Sequence, residues 1–132
     1  MRAETIAGIA LGLLAAALVV AGLATVGGPG QGRIERRDET RLSDLQRLAT
    51  YVRCVADTQQ QSLPDALRPV ETCQAEMRFD DPYSGTAYRY EKLTDTAFRL
   101  CARFEETDWL NDVRRGEIDP ATGCMQFTYT PG

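Results

Sequence analysis

The residue types able to do chemistry in this chain are four cysteines, Cys54, Cys73, Cys101 and Cys124, and a scatter of carboxylates that thickens between Glu105 and Asp119. Histidine is absent, which removes the commonest general base, the triads built on it, proximal-His haem ligation and every His-containing zinc site. The cysteines show no C-x-x-C, no C-x-x-C-H and no close pair, so zinc-ribbon, thioredoxin-like and c-type haem readings fail together. An even number at wide spacing is the pattern of two structural disulfides in an oxidising compartment, with buried free thiols as the alternative. Asp80 and Asp81 are adjacent in a turn, where side chains diverge, and no nucleophile or orienting group accompanies them. A turn or capping role fits them better than acid–base work. On these grounds no enzymatic activity and no cofactor are expected.

The carboxylates Glu105, Asp108, Asp112 and Asp119 supply oxygens of the kind a hard cation such as Ca²⁺ takes. The stretch lacks the D-x-D-x-D-G order of an EF-hand, and a solvated acidic loop is the competing reading. Trp109-Leu110 inside it either folds back as a hydrophobic cap or is presented to a partner.

These residues must be positioned by a short chain. Of its 132 residues, Ile6 to Val26 form one almost wholly apolar run, which leaves about a hundred for a domain folding in water. Arg2 and Glu4 cancel, so the part from Arg33 onward carries the whole net charge of −4, which argues against a nucleic-acid partner. As a helix the apolar run would span roughly 31 Å at about 1.5 Å per residue, enough for one bilayer crossing. A cleaved secretory signal is the rival reading, because Gly22-Leu23-Ala24 offers small residues at a cleavage position. The apolar run is longer and the start less basic than such signals require, so residues 1–26 read as an uncleaved anchor. Gly8 and Gly12 make a G-x-x-x-G pair through which membrane helices can approach closely, although a segment this rich in Ala and Gly contains that spacing by chance.

Residues 27–32, Gly-Gly-Pro-Gly-Gln-Gly, read as a hinge, because glycine costs backbone entropy and Pro29 lacks a donor. From about Arg33 to Asp57, Ile34, Leu42, Leu45, Leu48, Ala49, Val52, Val55 and Ala56 recur at three and four, the period of an amphipathic helix. Leu63-Pro64 and Pro69 stop it. Asp80-Asp81-Pro82-Tyr83-Ser84-Gly85 marks a tight turn, after which Tyr88 and Tyr90, Phe98 to Phe104 and Met125 to Tyr129 alternate as strands. The expectation is α+β: one long helix packed on a three-stranded antiparallel sheet over residues 33–132, with 105–122 as loop.

Side-chain direction chooses among the three pairings that four cysteines allow. Phe98, Leu100, Ala102 and Phe104 share one strand face and Cys101 takes the other; Cys124 likewise opposes Met125, Phe127 and Tyr129. Cys54 lies about half a turn from the middle of the apolar stripe, toward whatever wraps the helix end, where Cys73 is available. The pairings are therefore Cys54–Cys73 and Cys101–Cys124, each closing a loop of about 20 residues worth roughly 3 kcal/mol on a chain-entropy model.

An apolar amino-terminal segment, a long helix, Leu63-Pro64, the Asp81-Pro82-x-x-Gly85-x-x-Tyr88-x-Tyr90 motif and antiparallel strands together resemble the type II secretion pseudopilins and type IV pilins. The stretch Phe98-Arg99-Leu100-Cys101-Ala102 is similar to that of bacterial single-pass proteins carrying the same kind of domain. The resemblance implies a turn that introduces a sheet packed on the helix, assembly through membrane helices in the periplasm, and, from the calcium loop of major pseudopilins, an added reason to consider Ca²⁺ at Glu105, Asp108, Asp112 and Asp119. The chain departs from the prepilin pattern: no Gly precedes the apolar run, and Glu4 stands before it rather than inside it. The sequence thus points to a non-enzymatic single-pass inner-membrane protein displaying a disulfide-bonded pseudopilin-like domain in the periplasm as a structural or interaction module, with the membrane and an envelope protein or a second copy as partners. The alternatives are a minor pseudopilin of a type II secretion-like system and a Ca²⁺- or ligand-binding envelope domain. Arg33, Arg36, Arg37 and Arg41 after the segment pull the other way, toward a cytoplasmic carboxyl side; a domain of this size is translocated largely regardless of such charges, and the cysteines outweigh them.

Overall fold

The computed structural model describes residues 2–26, 29–73, 76–113 and 116–132, in two compact units, Met1–Ile34 and Glu35–Gly132. The first unit holds α1 (Ala3–Val26). From Ile6 to Leu23 its large apolar side chains face outward, Leu11 at 69 % exposure and Leu18 at 66 % among them. Water penalises such a surface at about 25 cal/mol per Å², and the helix is long and apolar enough to cross a membrane.

Helix α2 runs from Pro29 to Thr58, four residues earlier than the apolar periodicity suggests. Proline is favoured at a first helical position, where its missing N–H would have had no partner and its fixed φ suits the helix. Gly30, Gln31 and Gly32 are thus helical rather than part of a hinge, while Gly27 and Gly28 lie outside the described residues. At the other end Gln60 and Gln61 take left-handed backbone conformations (φ 58° and 59°), and the turn closes with Ser62 N donating to Gln59 O at 3.2 Å.

In the second unit the apolar stripe of α2 packs on an antiparallel sheet. The strands are β1 (Arg89–Lys92), β2 (Ala97–Cys101), β3 (Ile118–Asp119) and β4 (Cys124–Thr128), in the spatial order β1-β2-β4-β3. Leu45, Leu48, Val52, Phe98 and Leu100 are fully buried between the two layers, joined by Met125 and Tyr129. Phe98 stacks on Phe127 across β2 and β4 at a centroid distance of 5.5 Å.

The sheet has four strands, not three. Ile118 pairs with Met125 and Asp119 with Cys124; a two-residue strand is too short to show alternation, and its signal is one apolar residue, 3 % exposed, in an acidic stretch. The same stretch holds α3 (Asp108–Val113), so residues 105–122 are not simply loop. Leu110 is fully buried and Trp109 packs on the core, which settles these two as a cap on the domain.

Candidate functional site

Two features of the second unit concentrate polar chemistry. The first is a buried ion cluster that ties α2 to the turn before β1. Arg41 projects from the buried side of α2, 4 % exposed at its side chain. Its Nε donates to Asp81 Oδ2 at 2.6 Å, and its Nη1 donates to Asp38 Oδ1 at 2.8 Å and to Glu105 Oε2 at 2.9 Å. Asp38, fully buried, also accepts from the backbone N–H groups of Glu105 and Glu106 at 2.9 and 2.8 Å. Asp81 Oδ1 accepts from Tyr83 N at 2.8 Å. Burial opposes both charges, yet the hydrogen bonds outweigh it: Asp81 is held below the usual carboxylate range by Tyr83 N and Arg41, and the Arg41 guanidinium clings to its proton more tightly than usual.

Gly85, Tyr88 and Tyr90 of the motif each have an attachment of their own. Gly85 sits at φ +72°, where a side chain would be strained, and donates its N–H to Asp81 O at 2.8 Å. The Tyr88 hydroxyl donates to Asp44 Oδ2 on α2 at 2.7 Å, and burial together with that carboxylate raises its pKa well above the ordinary tyrosine value. Tyr90 donates to Pro64 O at 2.6 Å and is pushed up to about 12, first by burial and then by Asp65.

The second feature lies on the sheet face turned away from α2. Strand register sets Arg89, Cys101, Cys124 and Asp119 in one row across all four strands. Cys101 and Cys124 form a disulfide, and Cys54 forms the other with Cys73, the pairings that side-chain direction on the strands and on the helix selects. Arg89 Nη2 lies 3.6 Å from Cys101 Sγ and 3.7 Å from Cys124 Sγ. A groove of about 280 Å³ opens on the Arg89 side, lined by Thr86, Arg89, Cys101, Arg103 and Thr122 among others. In the neighbouring row Arg99 pairs with Glu91 at 2.6 Å.

The suggested calcium ligands are not brought together. Glu105 is spent on Arg41 and, at 3.2 Å, on Arg37; Asp108 and Asp112 lie exposed on α3; Asp119 Oδ1 accepts from Ala121 N at 3.0 Å. Among the described residues no group of three or more His, Cys, Asp or Glu side chains is placed to hold a metal ion. Gly8 and Gly12 lie on open sides of α1, with nothing within 4 Å of where a Cβ would stand.

The sequence reading did not single out Asp38, Arg41 and Asp44 as buried groups. A signal was present, because positions 38, 41, 45, 48 and 52 lie on one helical stripe, so charges at its amino-terminal end interrupt an apolar face. Comparison with protein-family models, with curated proteins and with solved structures finds no match.

Proposed function

We propose that the chain is a non-enzymatic, single-pass inner-membrane protein that displays a pseudopilin-like domain in the periplasm, where the domain serves as a rigid structural or interaction module of an envelope complex. The observation that supports this reading best is the use made of the Asp81-Pro82-x-x-Gly85-x-x-Tyr88-x-Tyr90 motif. Asp81 and Tyr88 fasten the sheet to the long helix through Arg41 and Asp44, and Tyr90 fastens it to the Leu63-Pro64 element. The residues that carry the family resemblance are therefore spent on holding helix and sheet together. An outward-facing apolar helix before the domain fits an anchor, and two disulfides fit an oxidising compartment.

Intact mass spectrometry of the membrane-extracted protein, alkylated with and without prior reduction, tests the reading. A full-length chain that takes up alkylating label only after reduction is expected. A chain shortened at its amino terminus would favour the minor-pseudopilin or secreted alternatives, and four thiols labelled without reduction would place the domain in the cytoplasm and overturn the proposal.

A further inference from the structure

The two disulfides sit in opposite surroundings. Cys73 is 4 % exposed and packs in a cluster with Tyr51 and Val55, against which Cys54, Val70, Met77 and Phe79 are laid. Cys54 is half-buried and can be reached, but attack there must expel Cys73, whose apolar setting disfavours a thiolate and makes it a poor leaving group. Cys101 and Cys124 have little exposure of their own, 5 % and 6 %, but they face away from the core. The cation lying against both sulfurs is Arg89, itself an exposed side chain.

We propose that Cys101–Cys124 is a thiol-exchange site, opened by a dithiol of the C-x-x-C class, while Cys54–Cys73 remains a permanent staple. The charges on the two sides of the row assign the sulfurs. Arg89 and Arg103 border the groove beside Cys101, where the carboxylate that also lines it, Asp81, is already paired with Arg41, and Asp119 stands opposite Cys124. An attacking thiolate is drawn to the basic side and turned away from the acidic one, so it meets Cys101 Sγ. Its electron pair forms the new S–S bond as the Cys101–Cys124 bond breaks, and Cys124 departs as a thiolate that Arg89 stabilises. The second thiol of the dithiol then attacks its own sulfur in the mixed disulfide and releases Cys101. The dithiol is oxidised by two electrons to a disulfide, the cysteine pair is reduced, and the two protons lost by the dithiol end on the two cysteine sulfurs.

Opening need not unfold the sheet. β2 and β4 stay paired over five residues from Ala97 to Cys101, the Phe98–Phe127 stack lies on the other face, and the two thiols would be presented on an intact surface.

The test uses the full chain in detergent with dithiothreitol as the dithiol. Samples are quenched with an alkylating agent over time and mapped by peptide mass spectrometry, and Trp109 fluorescence follows the fold. Cys101 and Cys124 should take up label about tenfold faster than Cys54 and Cys73 while the fluorescence holds. Arg89→Gln should slow that opening about threefold, and Arg89→Lys should restore most of the rate. Opening of Cys54–Cys73 first or at the same rate would overturn the proposal, as would an Arg89→Gln rate equal to that of the unaltered protein, or labelling of Cys101 only after the fluorescence has changed.

Discussion

Replacing Arg41 by Met keeps most of the side-chain volume and removes the charge that three carboxylates share. The structure sets the size of the effect. Glu105 is 36 % exposed at its side chain, and its arm of the cluster is worth less than about 1 kcal/mol because water screens it. Asp38 and Asp81 are 0 % and 3 % exposed, so losing their partner leaves two buried carboxylates without a counter-charge, a change that costs about 3–5 kcal/mol. Backbone N–H groups still reach both carboxylates, which puts the expectation near the lower end. For a domain of this size about 3 kcal/mol lowers the melting midpoint by roughly 12–24 °C. Trp109 is the only tryptophan in the chain and packs on the domain core, so urea unfolding followed by its fluorescence reports the domain and not the apolar helix. Arg37→Met is the control: its pair with Glu105 is 38 % and 36 % exposed and should cost less than about 1 kcal/mol. In Arg41→Met/Asp81→Asn the carboxylate stranded by the first change is neutral, so the double variant should lose less than the sum of the singles. If Arg41→Met proved no more destabilising than Arg37→Met, the cluster would be incidental and the account of the turn as a clasp would fail.

Asp81 gives the domain an acid limit: its folded pKa lies below the ordinary value of about 3.9, so the stability it contributes is complete above that value and is lost as pH falls through the lower folded one. Urea midpoints measured down to about pH 2 should fall more steeply for the unaltered protein than for Asp81→Asn, and equal slopes would contradict the assignment. Gly123→Ala should destabilise by about 2–3 kcal/mol, because φ is +69° and the new Cβ would meet the backbone oxygen of Ala102, whereas Gly85→Ala, at φ +72° in open space, should cost only about 1 kcal/mol; thermal melts of the two variants separate clash from strain. The Tyr51 hydroxyl donates to Arg68 O at 2.5 Å and accepts from Val70 N at 2.8 Å, so Tyr51→Phe leaves two backbone groups unmatched and should cost about 1–3 kcal/mol in the same urea assay.

Which parts of this fold were legible follows from what carries a period. Leu42, Leu45, Leu48 and Val52 repeat over many turns, and Phe98-Leu100-Ala102 and Met125-Phe127-Tyr129 alternate over enough residues to mark a face, so the long helix and two central strands could be placed. Alternation also gave the face on which Cys101 and Cys124 meet. A strand of two residues and a helix of six carry no period, and so Ile118–Asp119 and Asp108–Val113 were hidden in an acidic stretch. The ion cluster was hidden for a different reason. Composition treats Asp38, Arg41 and Asp44 as surface residues, and only the three-dimensional meeting of α2, the Asp81 turn and Glu105 makes their burial affordable. The Arg89 contact with the disulfide was out of reach as well, because strand register across β1 and β2 decides it.

That cluster bears on the proposed orientation of the chain in a membrane. Arginines after an apolar segment ordinarily hold the following part in the cytoplasm, and Arg33, Arg36, Arg37 and Arg41 taken together would do so. Arg41, however, has a folding reason to be where it is, since it is buried and donates to three carboxylates. Arg37 has a lesser one in its pair with Glu105. These two positions therefore need no topological explanation, and only Arg33 and Arg36, both exposed, are left to speak for a cytoplasmic domain. Two arginines are a weak restraint beside a soluble domain of about a hundred residues, and the disulfides that this domain closes fit an oxidising side. The balance of charge and thiol chemistry is thus compatible with the periplasmic carboxyl side proposed above. If the proposed orientation holds, appending two lysines directly before Ile6 should leave Cys54 and Cys101 closed to an alkylating label in intact cells, without touching any of the contacts described in the domain.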